Sequence, residues 1–439
     1  MTSQLLKKTN YIGNVQAAWR VIRNNARLSK SDDVRSEVRR FEDDADARLR
    51  RLHYQLTRGK FKFEPAKGIP IPKQDSQGRA TGKFRPIVLA PIESRIVQRA
   101  LLNTLTRVPQ LKPYVENPHS FGGCRKVDDD SLIGVPAAIH AALGAISEGA
   151  KFYASADIQA FFTRIPKSEV IEIISSVTND LEFERFLGAA VNVELSNMAE
   201  LRSRAAEFPI EEIGVAQGNS LSPLLGNIYL ASFDKAMNAG PGPCFRYVDD
   251  FLILGATASD VNSKLRLAKD LLRAKGMSLS PEKSSKGAQP ISQGFEFLGI
   301  DVSPGLIRPT KKAQRRLTSS IKARLDASQR HYQALRKGVP LERRFALLET
   351  LRQVSGIVDG WGKHYKFCND GNTLAHLDGC IEELLSSYLG AYSDAVRRVE
   401  GGRRRELLGI GNLAVDDSAA FTYPKQSKRR KSVAENTSQ

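Results

Sequence analysis

The stretch Cys244-Phe245-Arg246-Tyr247-Val248-Asp249-Asp250-Phe251-Leu252-Ile253-Leu254 constrains this chain more than any other. Apolar and β-branched residues on both sides predict two short strands, with the acidic pair where the chain turns between them. Like charges about 4 Å apart repel by roughly 4 kcal/mol at an effective dielectric near 20. A divalent cation removes that cost, and Mg²⁺ favours one or two carboxylates together with phosphate oxygens. The competing reading is a plain polar turn, since Asp is a common turn residue.

A second carboxylate source is needed before two metals can be held. Asp157 qualifies, because it lies near the end of the strand-like run Phe152-Tyr153-Ala154-Ser155-Ala156-Asp157-Ile158. A charge at the end of a buried strand costs several kcal/mol unless it is paired or coordinates metal. Asp157, Asp249 and Asp250 together could hold two Mg²⁺ about 4 Å apart, one activating a hydroxyl and one stabilising a leaving oxygen. Consecutive strand residues face opposite ways, so Asp249 and Asp250 can share metals only because the turn intervenes. Asp249 is expected as the main ligand and Asp250 as the adjunct.

The charge balance supports a phosphate-bearing partner. The chain has 66 Lys and Arg against 48 Asp and Glu, a net charge of +18 over 439 residues. Such an excess points to nucleic acid, with an anionic membrane surface as the weaker alternative. No run of eighteen apolar residues occurs, and the start Met1-Thr2-Ser3-Gln4 lacks a signal-peptide core, so no membrane span and a cytoplasmic location are expected. Four cysteines do not make a disulfide framework in a chain this long. His364 with Cys368, and His376 with Cys380, are each four apart. On helices each pair would share a face and could hold zinc; equally, they are two ordinary helix faces.

Residues 14 to 58 read as helical and Arg-rich, followed by a Pro- and Gly-broken loop or hairpin region from 65 to 82. Residues 92 to 106 predict a helix with Ile92, Ile96, Val97, Ala100, Leu101 and Leu105 inward. An apolar helix is expected over 135 to 147, with His140 as a core histidine. Further helices are expected over about 167 to 177 and 259 to 275, and a hairpin over 294 to 303. Ser222 is a candidate N-cap, with Pro223 at the first helical position. Beyond Pro309 the pattern is helical and basic, and Leu317, Ile321 and Leu325 make an apolar stripe. From about 401 the chain carries Arg403-Arg404-Arg405 and Lys428-Arg429-Arg430-Lys431 and reads as a disordered tail gripping nucleic acid electrostatically.

These residues resemble the reverse transcriptases, in the group II intron-like branch of the bacterial enzymes. Asp157-Ile158-Gln159-Ala160-Phe161-Phe162 resembles motif A, the run from Gly214 to Leu230 around Gln217-Gly218 motif B, and Tyr247-Val248-Asp249-Asp250 motif C. Leu279-Ser280-Pro281-Glu282-Lys283 resembles motif D, and Phe297-Leu298-Gly299 the hairpin after it. Arg85-Pro86-Ile87 and Arg95-Ile96-Val97-Gln98 resemble finger motifs. The order and spacing together span about residues 83 to 303.

The resemblance implies an α+β right-hand polymerase with fingers, a palm built on an antiparallel sheet and a helical thumb. Residues 1–150 would form an N-terminal helical extension and fingers with some palm elements. Residues 151–305 would form the palm, 306–400 the thumb and 401–439 the tail. It implies Asp157, Ile158, Asp249 and Asp250 at two Mg²⁺, with Lys283 protonating pyrophosphate, although Lys283 also fits an ordinary surface lysine. Phe162 would lie under the sugar and exclude a 2′-hydroxyl, implying deoxynucleotides, and Gln217 would contact the incoming nucleotide. Gly218 would let the backbone approach closely. Arg85 and Lys83 would clamp the triphosphate, to which Ala160 and Phe161 could present backbone N–H groups. Trp361, His364 and Tyr365 resemble an intron-type thumb cluster, or are core.

RNA template, cDNA product and deoxynucleotides are the implied partners. The segment Ser120-Phe121-Gly122-Gly123-Cys124-Arg125 lacks the usual proline-glycine continuation. Neither a clustered Cys/His nuclease nor the Val-Thr-Gly retron signature is visible. Those departures favour a domesticated enzyme working with a dedicated noncoding RNA in antiviral defence. An intron maturase that assists splicing is the alternative, and an inert RNA-binding protein a third reading. A nuclease would use similar carboxylates but would not explain Phe162 and Gln217 together.

Overall fold

The computed structural model describes residues 3–27, 29, 31–74, 80–123, 132–335, 339–399 and 403–411. Among these, helices α1 (Gln4–Asn10), α2 (Ile12–Arg27), α3 (Asp32–Glu42) and α4 (Ala45–Thr57) come first. The antiparallel hairpin β1 (Lys67–Gln74) and β2 (Ala80–Leu89) leads to α5 (Ile92–Leu105), α6 (Lys112–Val115) and α7 (Gly134–Ser147). Then come β3 (Phe152–Asp157), α8 (Lys167–Thr178), α9 (Leu181–Val191), α10 (Met198–Leu201), α11 (Ser222–Tyr229) and α12 (Ala231–Met237). The hairpin β4 (Cys244–Tyr247) and β5 (Asp250–Gly255) precedes α13 (Ala258–Ala274), β6 (Gln289–Pro290), β7 (Phe295–Phe297), β8 (Ile300–Ser303) and β9 (Leu306–Pro309). The last helices are α14 (Lys311–Leu335), α15 (Leu347–Tyr365), α16 (Gly371–Arg398) and α17 (Arg404–Leu408).

Two compact units result, one of residues 1–312 with 364–370, the other of 313–363 with 371–439. The first is built around a sheet in the order β4-β5-β3-β6, antiparallel throughout. Strand β5 is buried on both faces, which explains its unbroken apolar run. Phe251 and Ile253 join one core with α11, α12 and α13, through Leu225, Phe233 and Leu265. Leu252 and Leu254 join another with α7 and the β7–β8 hairpin, through Ile139, Phe295 and Ile300. All four β5 side chains are fully buried, each contributing roughly 1.5–3 kcal/mol. Helix α5 buries all six of the apolar positions expected to face inward. Helix α2 sets Val15, Ala18, Trp19 and Ile22 at helical spacing into the same core.

The second unit is helical. Leu317, Ile321 and Leu325 form the buried stripe of α14. Deeper in, the Ser328 hydroxyl donates to the Phe345 carbonyl (2.6 Å), and the Tyr332 and Tyr388 hydroxyls lie 2.6 Å apart.

Several expectations change. His140 is exposed rather than core, because α7 turns Ala138, Ile139 and Ala142 inward. Ser222 is the first residue of α11, and its hydroxyl donates to the Ala216 carbonyl (2.7 Å) instead of capping the helix. Cys368 lies beyond the end of α15, so it shares no helix face with His364, whereas His376 Nε2 and Cys380 Sγ lie 3.7 Å apart on α16. Residues 403–411 are not a loose tail, since α17 buries Leu407; the basic run Lys428–Lys431, and Cys124 and Arg125, lie outside the described residues. Trp361 is half-buried on α15, and the rings of His364 and Tyr365 meet edge-on at 4.6 Å. No described helix is long and apolar enough to cross a membrane.

Candidate active site

Strands β3 and β5 pair so that Asp157 stands directly opposite Asp250. Asp249 occupies the two-residue turn before it, between the paired residues Tyr247 and Asp250. The preceding Val248 has φ of 60°, a left-handed conformation that favours glycine at this place in tight hairpins. For a β-branched residue it costs about 1–2 kcal/mol. The turn is held from both sides: the Ile158 amide donates to the Asp249 carbonyl (2.8 Å), and Arg246 Nη1 donates to the Val248 carbonyl (3.0 Å).

The far edge of β3 is lined by residues 278–285. The Gln159 amide donates to the Ser278 carbonyl, the Ser280 amide to the Asp157 carbonyl and the Ser285 amide to the Ser155 carbonyl. That segment brings Lys283 Nζ to 2.5 Å from Asp157 Oδ1. Burial works against the Lys283 charge, but the hydrogen bond and charge of Asp157, with Asp250 and Asp249 beyond, hold its pKa above the ordinary lysine range.

The acidic groups repel each other. Burial, then the Asp157 charge, pushes Asp249 up, opposed by Lys283 and Arg85. Burial, then the charges of Asp249 and Asp157, pushes Asp250 up to about 7. Asp250 therefore gives up its proton less readily than an ordinary carboxyl, as expected of like charges at close range. Among the described residues, no three His, Cys, Asp or Glu side chains converge as a ready-made ligand set. The donors nonetheless suit a hard cation, being carboxylate oxygens whose mutual repulsion a cation would relieve. Ile158 is buried, so only its carbonyl could join them.

This has a consequence for pH. The folded Asp250 binds its proton more tightly than its ordinary value of 3.8. Its contribution to stability is full below that value and is lost as pH rises through about 7. Without metal, the chain is expected to lose melting temperature between about pH 5 and pH 8, and Asp250→Asn to flatten the decline. Calorimetric scans across that range give the comparison; parallel curves for the two proteins would contradict the assignment.

Around this cluster stand the other expected residues. Lys83 and Arg85 are two apart on β2 and so share a face. Both are exposed; Lys83 Nζ lies 4.0 Å from Glu282, and the Arg85 charge reaches Asp249. The Val88 amide of β2 donates to the Gln217 carbonyl (2.8 Å). Gly218 has φ of 118°, and a Cβ there would lie 2.6 Å from the Val88 carbonyl oxygen, so alanine would displace backbone. Ala160 is left-handed (φ 52°) and leads into a tight helical turn over Phe161–Arg164. Its first amides lack helical acceptors, as at any helix start. Phe161 is buried and Phe162 half-exposed.

Sequence reasoning gave no role to Arg246, Asp234, Asn227 or Gly122, all of which support the turn. The available signal was a charged residue inside an otherwise apolar strand.

Carboxylates grouped at one end of an antiparallel sheet, beside a strand of exposed cations, are the architecture of a nucleic-acid polymerase palm. The family model described as "Reverse transcriptase (RNA-dependent DNA polymerase)" matches residues 71–302. That is just over half of the chain, which belongs to this family. The "Uncharacterized 91 kDa protein in cob intron" of Schizosaccharomyces pombe is 27% identical over 179 residues. The match covers 40% of this chain and 19% of that protein, so the chain spans about a fifth of its length. Among solved structures, apo telomerase from Candida tropicalis, truncated from its C-terminal domain, is 14% identical with a TM-score of 0.39. That likeness covers 56% of this chain and 55% of the other. A partial Cas6-RT-Cas1–Cas2 complex is 17% identical with a TM-score of 0.33, covering 63% of this chain and 43% of the other.

Proposed function

We propose that this protein copies an RNA template into DNA, with Asp157, Asp249 and Asp250 as its catalytic carboxylates. The observation that carries the reading is the cross-strand pairing of Asp157 with Asp250 beside a turn that presents Asp249. The primer 3′-hydroxyl attacks the α-phosphorus of a deoxynucleotide in line, and the bond to pyrophosphate breaks. Two Mg²⁺ held by Asp157, Asp249, Asp250 and the Ile158 carbonyl would lower the pKa of the attacking hydroxyl and neutralise the leaving oxygen. Lys283 stands at the acidic cluster and delivers a proton to the leaving pyrophosphate. Arg85 and Lys83 clamp the triphosphate from β2, with the amides of Ala160 and Phe161 opposite. Gln217 and Gly218 place the nucleotide, and Phe162 closes the space a 2′-hydroxyl would need. Fingers and palm fall in the first unit, and the basic helices of the second serve as thumb, with α14 following a phosphate backbone through Lys and Arg.

The finer reading concerns the RNA. The intron relative supports an intron-type enzyme that binds intron RNA. The departure at Gly123-Cys124 supports an antiviral-defence enzyme with its own noncoding RNA, working in the cytoplasm. One experiment tests both levels. The purified protein is expected to extend a DNA primer on RNA with deoxynucleotides and Mg²⁺, and sequencing of its copurifying nucleic acid is expected to return one RNA with attached cDNA. Intron sequence would favour the maturase role and a short dedicated RNA the defence role. No extension on any RNA template would remove the polymerase reading.

A further inference from the structure

Arg246 lies in β4, two residues before the Val248 of the turn, and is fully buried. Its Nε donates to Asp234 Oδ1 (2.7 Å) and its Nη2 to Asp234 Oδ2 (2.6 Å), a two-pronged pairing with α12. Its Nη1 donates both to Asn227 Oδ1 on α11 (3.1 Å) and to the Val248 carbonyl (3.0 Å). Asn227 in turn donates from Nδ2 to the Gly122 carbonyl (3.0 Å). Asp234 is completed by Asn117 Nδ2 (3.0 Å).

A buried ion pair is weak evidence of stabilisation, since apolar residues of like volume often serve as well. What an apolar residue cannot do is hold a carbonyl. The carbonyl held here belongs to Val248, the residue in left-handed conformation, and such backbone persists only where its surroundings over-determine it. Gly122 presses on the same residue from another side: a Cβ there would meet Val248 Cγ2 at 2.5 Å and Val248 N at 2.6 Å. Asn227 binds both restraints.

Resting on the proposed function above, we infer that Arg246, braced by Asp234 and Asn227, is a positioning residue that fixes the Val248 turn so that Asp249 and Asp250 meet Asp157. It touches neither substrate nor metal. Arg246→Lys keeps the charge but loses the planar fork. Asn227→Ala leaves the Arg246–Asp234 pair intact and removes no charged side chain, only the hydrogen bonds Asn227 makes to Arg246, Gly122 and Ser120, so it decides the matter should the lysine variant not fold.

The test is Mn²⁺ binding to the full chain, read from the electron paramagnetic resonance signal, alongside primer extension on RNA. Arg246→Lys is expected to weaken Mn²⁺ binding and lower kcat at least tenfold, with the KM for template–primer unchanged; Asn227→Ala is expected to move both the same way by severalfold. Adding Val248→Gly to either is expected to recover part of the loss, because glycine adopts the left-handed turn unaided. Folded Asn227→Ala with wild-type Mn²⁺ affinity and kcat would overturn the inference, as would equal losses with Val248 or glycine at the turn. Failure of the wild-type chain itself to bind Mn²⁺ would instead overturn the catalytic assignment beneath it.

Discussion

Replacing both Asp249 and Asp250 with alanine is expected to abolish DNA synthesis while leaving RNA binding nearly intact. A loss of at least about a thousandfold corresponds to roughly 4 kcal/mol of transition-state stabilisation. Synthesis is lost because a single remaining carboxylate, Asp157, cannot anchor two cations. Binding survives because it depends on a chain-wide excess of cations, a net charge of +18. The fold should survive as well. Burial and then the Asp157 charge push Asp249 toward protonation, and burial with the charges of Asp249 and Asp157 pushes Asp250 the same way, so their removal relieves an unfavourable grouping of charge. Extension assays and filter binding on the same preparation separate the outcomes. Wild-type incorporation by the double variant would refute the assignment, and loss of RNA binding would show that the turn serves the fold instead.

The second large effect is expected at Phe162. Its neighbour Phe161 is anchored: its ring fills the space at Gly226, where a Cβ would lie 2.8 Å from the ring. The Phe162 carbonyl accepts from the Val215 amide (2.8 Å), which fixes the backbone while the half-buried ring stays outside the deep core. Phe162→Ala is therefore expected to open space beside the sugar without emptying the core. Preference for deoxynucleotides over ribonucleotides should fall about a hundredfold, or roughly 3 kcal/mol. The ratio of kcat/KM for matched nucleotides measures it. An unchanged ratio would leave Phe162 as a packing residue.

Much of this was legible because the informative signals are local. The apolar runs flanking Asp249-Asp250 specify two strands, and the spacing of Ile92, Ile96 and Ala100 specifies a helix and its inner face. The partners of these elements were not legible from spacing alone. Asp157 and Asp250 meet across 93 positions of chain; the cost of a charge ending a buried strand and the motif resemblance both group them, but neither gives the register that sets them opposite each other. The brace behind the turn was missed although Arg246 stands out as a charge inside an apolar strand, because its partners lie on α11 and α12 and spacing does not show how those helices pack against the strand. The apolar composition of residues 135 to 147 points to a core position for His140, whereas α7 leaves that side to solvent. Ser222 was misread because its hydroxyl finds the nearby Ala216 carbonyl, a competition with capping that sequence does not settle.

Crystals of the protein with an RNA template, a DNA primer and an unreactive deoxynucleotide analogue, grown in Mn²⁺, give the most direct view of the carboxylate cluster. Two anomalous-scattering peaks about 4 Å apart are expected there, both within bonding distance of Asp157 and one or both of Asp249 and Asp250. With the nucleotide seated, peaks that avoid Asp157 altogether would contradict the shared-metal mechanism.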